Sequence, residues 1–189
     1  MNAADPAAVR KSRVFLVLIG LVFAAPMLVA GLLGWGGWQP GTKAHGEPIL
    51  PQRNFVSEQV HVELDDGQAY AWRDSEPRLT LIALAGPGCA TNCLAALTSM
   101  AAARVTLNRN QSRLRLLYLG APPLDESQDG MRNYWLLGRD VDGKLASFAP
   151  TAPDTVSAVL VESNGTALSL YPAGFDPTGL RKDMQKVIK

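Results

Sequence analysis

Two cysteines, the only two in 189 residues, stand four positions apart at Cys89 and Cys93. They follow the apolar run 79–85 and the turn Gly86-Pro87-Gly88, and they precede the helix-forming stretch Leu94-Ala95-Ala96-Leu97. Sulfurs one helical turn apart can close into a disulfide, exchange electrons with another thiol pair, or hold a soft ion such as Cu(I). The place where a strand ends and a helix begins favours the thiolate, because backbone N–H groups converge there and the helix dipole is positive there. Cys89, nearer the helix start, is the expected attacking thiolate, and Cys93 the one that resolves a mixed disulfide. No phosphate loop, paired-carboxylate site or Ser/His/Asp set competes with the pair. Asp65-Asp66 and Asp125-Glu126 read as turn and cap acids, and the two histidines, His45 and His61, both lie upstream of the cysteines. His45 reads as a solvated linker residue and His61 as part of a wet sheet face with Glu63. A formal charge of +1, with no basic stripe or acidic block, gives no basis for a nucleic-acid partner.

The elements that must position the cysteines follow from periodicity and turn residues. Residues 60–72 alternate around Asp65-Asp66-Gly67 and predict a hairpin. Residues 78–85 are nearly continuous in apolar side chains, as buried central strands are. A helix is expected over roughly 90–107, with Leu94, Leu97, Ala101 and Val105 as its core stripe. Met100, two turns beyond Cys93, reads as core rather than ligand. Residues 113–119 form a second apolar strand and complete a βαβ unit. Residues 125–138 predict a helix buried through Met131, Tyr134, Trp135 and Leu137, and 139–154 a loop or short helix with Pro150 and Pro153. Residues 156–171 predict a hairpin around Asn164-Gly165, whose residues suit a type I′ turn. Residues 176–188 predict an amphipathic helix with Asp176 as cap and Pro177 as its first residue.

At the other end of the chain, residues 14–42 hold no ionisable side chain, and the strongly apolar part, 14–33, matches the ~20 residues that span a bilayer as a helix. Arg10, Lys11 and Arg13 lead it and Trp35 and Trp38 close it, so the N-terminus is expected to stay cytoplasmic. The alternative is a cleaved signal peptide, for which Ala24-Ala25 and Ala30-Gly31 offer no convincing cleavage site. The expected organisation is therefore a cytoplasmic tail at 1–13, a transmembrane anchor at 14–37, a Pro/Gly-rich linker at 38–58 and a periplasmic domain at 59–189, held at the inner membrane.

Hairpin, strand, cysteine pair, helix, strand, helix, hairpin and helix make a thioredoxin-like α/β layout, a mixed central sheet with helices on both faces. With the single N-terminal span, the strand before C-x-x-x-C, and the closing run Val159-Leu160-Val161-Glu162-Ser163-Asn164-Gly165-Thr166-Ala167-Leu168-Ser169-Leu170-Tyr171-Pro172-Ala173-Gly174-Phe175-Asp176-Pro177, the chain resembles the Sco family of membrane-anchored cytochrome c oxidase assembly proteins. In that family two cysteines and a downstream histidine bind copper destined for the oxidase's binuclear copper centre. The resemblance carries Cys89 and Cys93 over as copper ligands. The histidine should fall just before the strand at 156, where this chain has Asp154 and Thr155, and the proline after the second cysteine is here Leu94.

The function this implies is an accessory factor for cytochrome c oxidase biogenesis that relays copper or reduces copper-site cysteines through Cys89 and Cys93. No classical enzyme activity is implied, and the partners are the inner membrane and oxidase or other respiratory-chain subunits. Two alternatives stay open. One is a general periplasmic thiol–disulfide oxidoreductase, such as one serving haem attachment, for which Pro153 could be the cis-proline bordering the site. The other is a non-catalytic subunit or docking module of a respiratory complex, with Cys89–Cys93 a structural disulfide.

Overall fold

The structure, a computed structural model, describes residues 6–35, 44–121 and 127–188. Two compact units emerge, Met1–Lys43 and Ala44–Lys189. Among its described residues the first holds one helix, α1 (Pro6–Trp35), with Pro26 inside it and large apolar side chains such as Phe15, Leu16, Phe23, Met27 and Leu32 exposed along its length. Among the described residues no helix is long and apolar enough to cross a membrane. The span expected at 14–37 runs on into residues outside that description, as do residues 38–43 of the expected linker, Pro122-Pro123 and the Asp125-Glu126 pair.

In the second unit the chain runs β1 (Glu47–Pro48), β2 (Val62–Leu64), β3 (Leu79–Ala85), α2 (Thr91–Val105), β4 (Leu114–Leu119), α3 (Ser127–Arg132), β5 (Leu136–Asp140), β6 (Val156–Val161), β7 (Ala167–Tyr171) and α4 (Pro177–Val187). The strands form one mixed sheet in the order β1-β7-β6-β3-β4-β5-β2. β3 pairs in parallel with β4 and antiparallel with β6, so Leu81 lies between Leu116 and Leu160, and Ile82 between Leu117 and Val159. Alternation along these central strands splits the core in two. Leu81, Leu116, Tyr118 and Leu160 face a layer supplied by α2, α3 and α4, through Leu97, Met100, Met131, Leu180 and Met184. Ile82, Leu117 and Val159 face Phe55, Tyr70, Trp72 and Leu145.

The second layer departs from the expected helices on both faces. It is built from loop, turn and a short 3-10 turn at Ala146–Phe148, because large aromatic side chains cover the sheet without needing a helix to carry them. Phe55 meets Trp72 at 5.0 Å between ring centroids, and the Trp72 indole N–H donates to the Val60 carbonyl at 2.7 Å.

Several boundaries move. From Ala44 onward the expected linker is built into the domain: Glu47–Pro48 pairs with β7, and Phe55 is wholly buried. The returning arm of the 60–72 hairpin keeps only a single bridge, Glu63 to Ala69, while β2 finds its partner in β5. The helix expected over 125–138 stops at Arg132, and Leu136–Asp140 is strand instead. Gly138 shows why, since a Cβ there would stand 2.8 Å from the Glu63 carbonyl oxygen, so that glycine lets the edge strand close in. In the Asn164-Gly165 turn Gly165 alone takes a positive φ, of 87°, which rules out the type I′ form. α4 begins as expected, with the Asp176 carboxylate accepting from the N–H groups of Thr178 and Gly179.

Candidate functional site

At the end of β3 the chain must turn sharply to enter α2, and Gly86-Pro87-Gly88 makes the turn. Gly88 has a φ of +67°, a conformation that a Cβ would strain. Gly86 lies so close to the 150–155 loop that a Cβ would meet the Ala152 carbonyl oxygen at 2.4 Å and that of Pro150 at 3.0 Å. Two backbone hydrogen bonds join these segments. The Gly86 N–H donates to the Thr155 carbonyl at 2.8 Å, and the Asp154 N–H donates to the Pro87 carbonyl at 3.0 Å.

Cys89 and Cys93 are joined as a disulfide, with their Cα atoms 5.2 Å apart. Cys93 lies in the first turn of α2 and is fully buried against the core, whereas Cys89, just before the helix, is only half-buried. Access is therefore unequal, and an incoming sulfur nucleophile reaches Cys89 first. The buried stripe of α2 is Cys93, Leu97, Met100, Ala101 and Ala103, so Leu97 and Ala101 of the expected stripe are core and its two ends, Leu94 and Val105, are not. Leu94 is half-buried and Val105 is 46% exposed. Met100 is core, as read from the sequence.

The residue that sequence reasoning passed over is Asp154. Ala90, at the N-cap of α2, offers no side-chain acceptor. Asp154 supplies one from the far loop. Its Oδ1 accepts from the N–H groups of Ala90 at 2.8 Å and Cys93 at 3.0 Å, and its Oδ2 from that of Asn92 at 3.0 Å. The N–H groups of Cys93 and Asn92 first, and then that of Ala90, hold its carboxyl below the usual carboxylate range against the opposing effect of desolvation. The one available signal was positional: Asp154 occupies the place where the family resemblance looks for a ligand, and an alanine cap on α2 leaves N–H groups that something must satisfy.

Neither histidine joins the cysteines. The ring of His45 packs against Gly179 in α4, and its backbone N–H donates to Asp183. His61 Nδ1 lies 2.8 Å from Asp142 Oδ2 with its side chain 65% exposed. Among the described residues no group of three His, Cys, Asp or Glu side chains is placed to hold a metal. The three-donor copper set implied by the family resemblance does not fit this chain. Its third position is a carboxylate already engaged with three N–H groups, and a hard oxygen donor is a poor match for Cu(I). The cis-proline expectation also fails at Pro153, since the cis X–Pro bond among the described residues is Leu50–Pro51.

Residues 79–189 match the family model described as transmembrane-like, thioredoxin-like, C-terminal domain. No curated protein matches the chain. Among solved structures, peroxiredoxin Q of Xanthomonas campestris superposes with a TM-score of 0.52 at 13% identity, covering 76% of this chain and 97% of its own. Apo Sco1 of Thermus thermophilus gives 0.50 at 15% identity over 77% and 94%. Copper-bound ScoI of Arabidopsis thaliana gives 0.49 at 12% identity over 76% and 97%. At these identities the likeness to the first two speaks for the fold alone, a thioredoxin-like mixed sheet with its helices.

Proposed function

This chain belongs to the family of transmembrane-like, thioredoxin-like C-terminal domains, and from that premise we propose that it is a membrane-anchored thiol–disulfide exchange factor acting through Cys89 and Cys93. The observation that carries this reading is the closed pair at the start of α2, with Cys93 buried and Cys89 only half-buried. A partner thiolate attacks Sγ of Cys89, the Cys89–Cys93 bond breaks, and Cys93 leaves as a thiolate that takes up a proton. The partner's second thiolate then attacks its own sulfur in the mixed disulfide and releases Cys89. The partner loses two electrons and the pair gains two. In the reverse direction Cys89 attacks a partner disulfide, Cys93 resolves the intermediate, and the partner leaves as a dithiol.

The placement proposed rests on the residue pattern at the N-terminus. The uncharged apolar run at 14–33 has the ~20 residues of a bilayer span in sequence, and the basic residues ahead of it favour a cytoplasmic tail at 1–13. The cysteine-bearing domain then works in the periplasm, an oxidising compartment in which a disulfide persists. Its partners are exported proteins with cysteine pairs, cytochrome c oxidase subunits and other respiratory-chain proteins among them. Of the two roles implied by the Sco resemblance, keeping a partner's copper-site cysteines reduced is the one this donor set supports, and copper relay is the weaker.

The test uses the full-length chain in detergent. Reduced Cys93→Ser should trap a mixed disulfide with a disulfide-bonded peptide, and Cys89→Ser should trap none. Anaerobic titration of the reduced protein with Cu(I) should show no stoichiometric site. Stoichiometric Cu(I) that disappears in Cys89→Ser would replace exchange with copper relay, and neither trapping nor copper binding would leave a docking module with a structural disulfide.

A further inference from the structure

We infer that Asp154 is the positioning residue of the cysteine pair: its fixed negative charge at the start of α2 opposes a thiolate on Cys89 and so biases Cys89 and Cys93 toward the disulfide. The inference deepens the exchange reading and rests on it. It also turns the mismatch with the copper pattern into a role, since the position expected to hold a ligand instead holds a charge.

A helix N-terminus stabilises a nearby sulfur anion through its free N–H groups and its dipole. Here that capacity is already taken. Both carboxylate oxygens of Asp154 sit on the first turn of α2, bonded to Ala90, Asn92 and Cys93. A thiolate on Cys89 would be a second negative charge over the same turn. Three segments meet there, residues 86–90, the first turn of α2 and residues 149–155, and Asp154 is their sole ionisable side chain apart from the cysteines. No cation in them offsets it.

The carboxylate is also held in place. Asp154 has a φ of +53°, in the left-handed region that Asp and Asn adopt more readily than other side chains. Its own N–H is tied to Pro87, and the neighbouring Gly86–Thr155 bond locks the two loops together. The N–H groups of the helix also keep its proton off at neutral pH.

The backbone suggests the test. Asp154→Asn tolerates the same φ and keeps an acceptor while losing the charge. Asp154→Gly tolerates it and keeps neither. Full-length protein is equilibrated with dithiothreitol at pH 9. Dithiothreitol gives two electrons and closes to its cyclic disulfide as Cys89–Cys93 opens to two thiols. Asp154→Asn should shift this equilibrium about fivefold toward the dithiol. The reduced variant should also react with iodoacetamide at Cys89, at pH 7, about threefold faster than the parent, since the gain in thiolate is partly offset by lower nucleophilicity. Asp154→Gly should move both readings in the same direction. Values within twofold of the parent in both variants would reduce Asp154 to a helix cap and overturn the inference. The parent protein gives an independent reading. Folded, reduced Cys89 should alkylate no faster than in the chain unfolded in urea, and a rate about tenfold faster, the mark of a helix-stabilised thiolate, overturns it whatever the variants do. Neither reagent needs a protein partner, so failure of the exchange reading, seen as no trapped peptide, stays distinct from failure here.

Discussion

Asp154 and Asp183 are both carboxylates that accept backbone N–H groups from distant parts of the chain, yet they sit in opposite settings. Asp183, on α4, is 4% exposed and gathers the N–H groups of His45 and Gly46, the Tyr171 hydroxyl and Lys186 Nζ. Burial alone would raise its proton affinity, but the N–H groups of His45 and Gly46 and the Lys186 ammonium hold it below the usual range. Beside it the Tyr171 phenol is pushed up, by burial first and by the Asp183 charge second. That cluster fastens the chain ahead of β1 to the closing helix. Asp154 is half-buried at the surface end of the sheet and caps the helix that carries the cysteines. The same carboxylate–amide chemistry is structural where the carboxylate itself is buried and bears on reactivity where a sulfur shares the helix turn.

The sharpest way to break this contrast is to remove each carboxylate and ask which property follows. Asp183→Ala leaves the N–H groups of His45 and Gly46 without their acceptor, and should cost about 3 kcal/mol in denaturant unfolding. Its alkylation rate at Cys89 should match that of the parent, and a changed rate would dissolve the distinction. Gly86→Ala should come next. The added Cβ meets backbone carbonyls that cannot swing aside, so the two loops must part, costing about 2 kcal/mol. Unlike Asp183→Ala it should also quicken alkylation of reduced Cys89, because Asp154 moves off the helix start. Asp176→Ala tests an ordinary cap. Losing the acceptor for Thr178 and Gly179 should cost about 1 kcal/mol by thermal melting, with no change in the dithiothreitol equilibrium.

The smallest effect is a pH dependence. Asp183 has a lowered folded value, so the stability from its ionisation is fully present above the ordinary Asp value near about 4 and fades as pH falls below it toward the folded value. Asp183→Asn keeps an acceptor oxygen but not the charge, so it should lower mid-range melting toward the parent's acid value and flatten that acid limb. An acid limb as steep as the parent's would show that Asp183 was not the group being protonated.

Much of the domain could be read from local pattern. β3, β4, β6, β7 and α4 lie within a residue or two of their expected places, because their signals are runs of apolar side chains bounded by Gly, Pro or a capping Asp. The cysteine pair at a strand–helix junction was equally legible, since it depends only on neighbours in sequence. β5 was not. Leu136 and Leu137 continue a plausible helical face, and only pairing with Leu117 and Tyr118 makes them strand. Residues 44–58 read as linker from their prolines and glycines, but Phe55 is drawn into the core by a sheet face that local composition does not reveal.

What the sequence alone determined, then, is the presence of the sulfurs, the strand that delivers them and the helix that follows, because each is set by spacing and propensity over a few residues. Tertiary structure decided which cysteine is the less buried, which face of α2 is buried, and that a carboxylate 64 positions from Ala90 would cap the helix. Those depend on the antiparallel pairing of β6 beside β3, which brings the 149–155 loop to the turn at Gly86. Hydrogen bonds between segments so far apart leave no periodicity for a sequence to display, and geometry alone selects them.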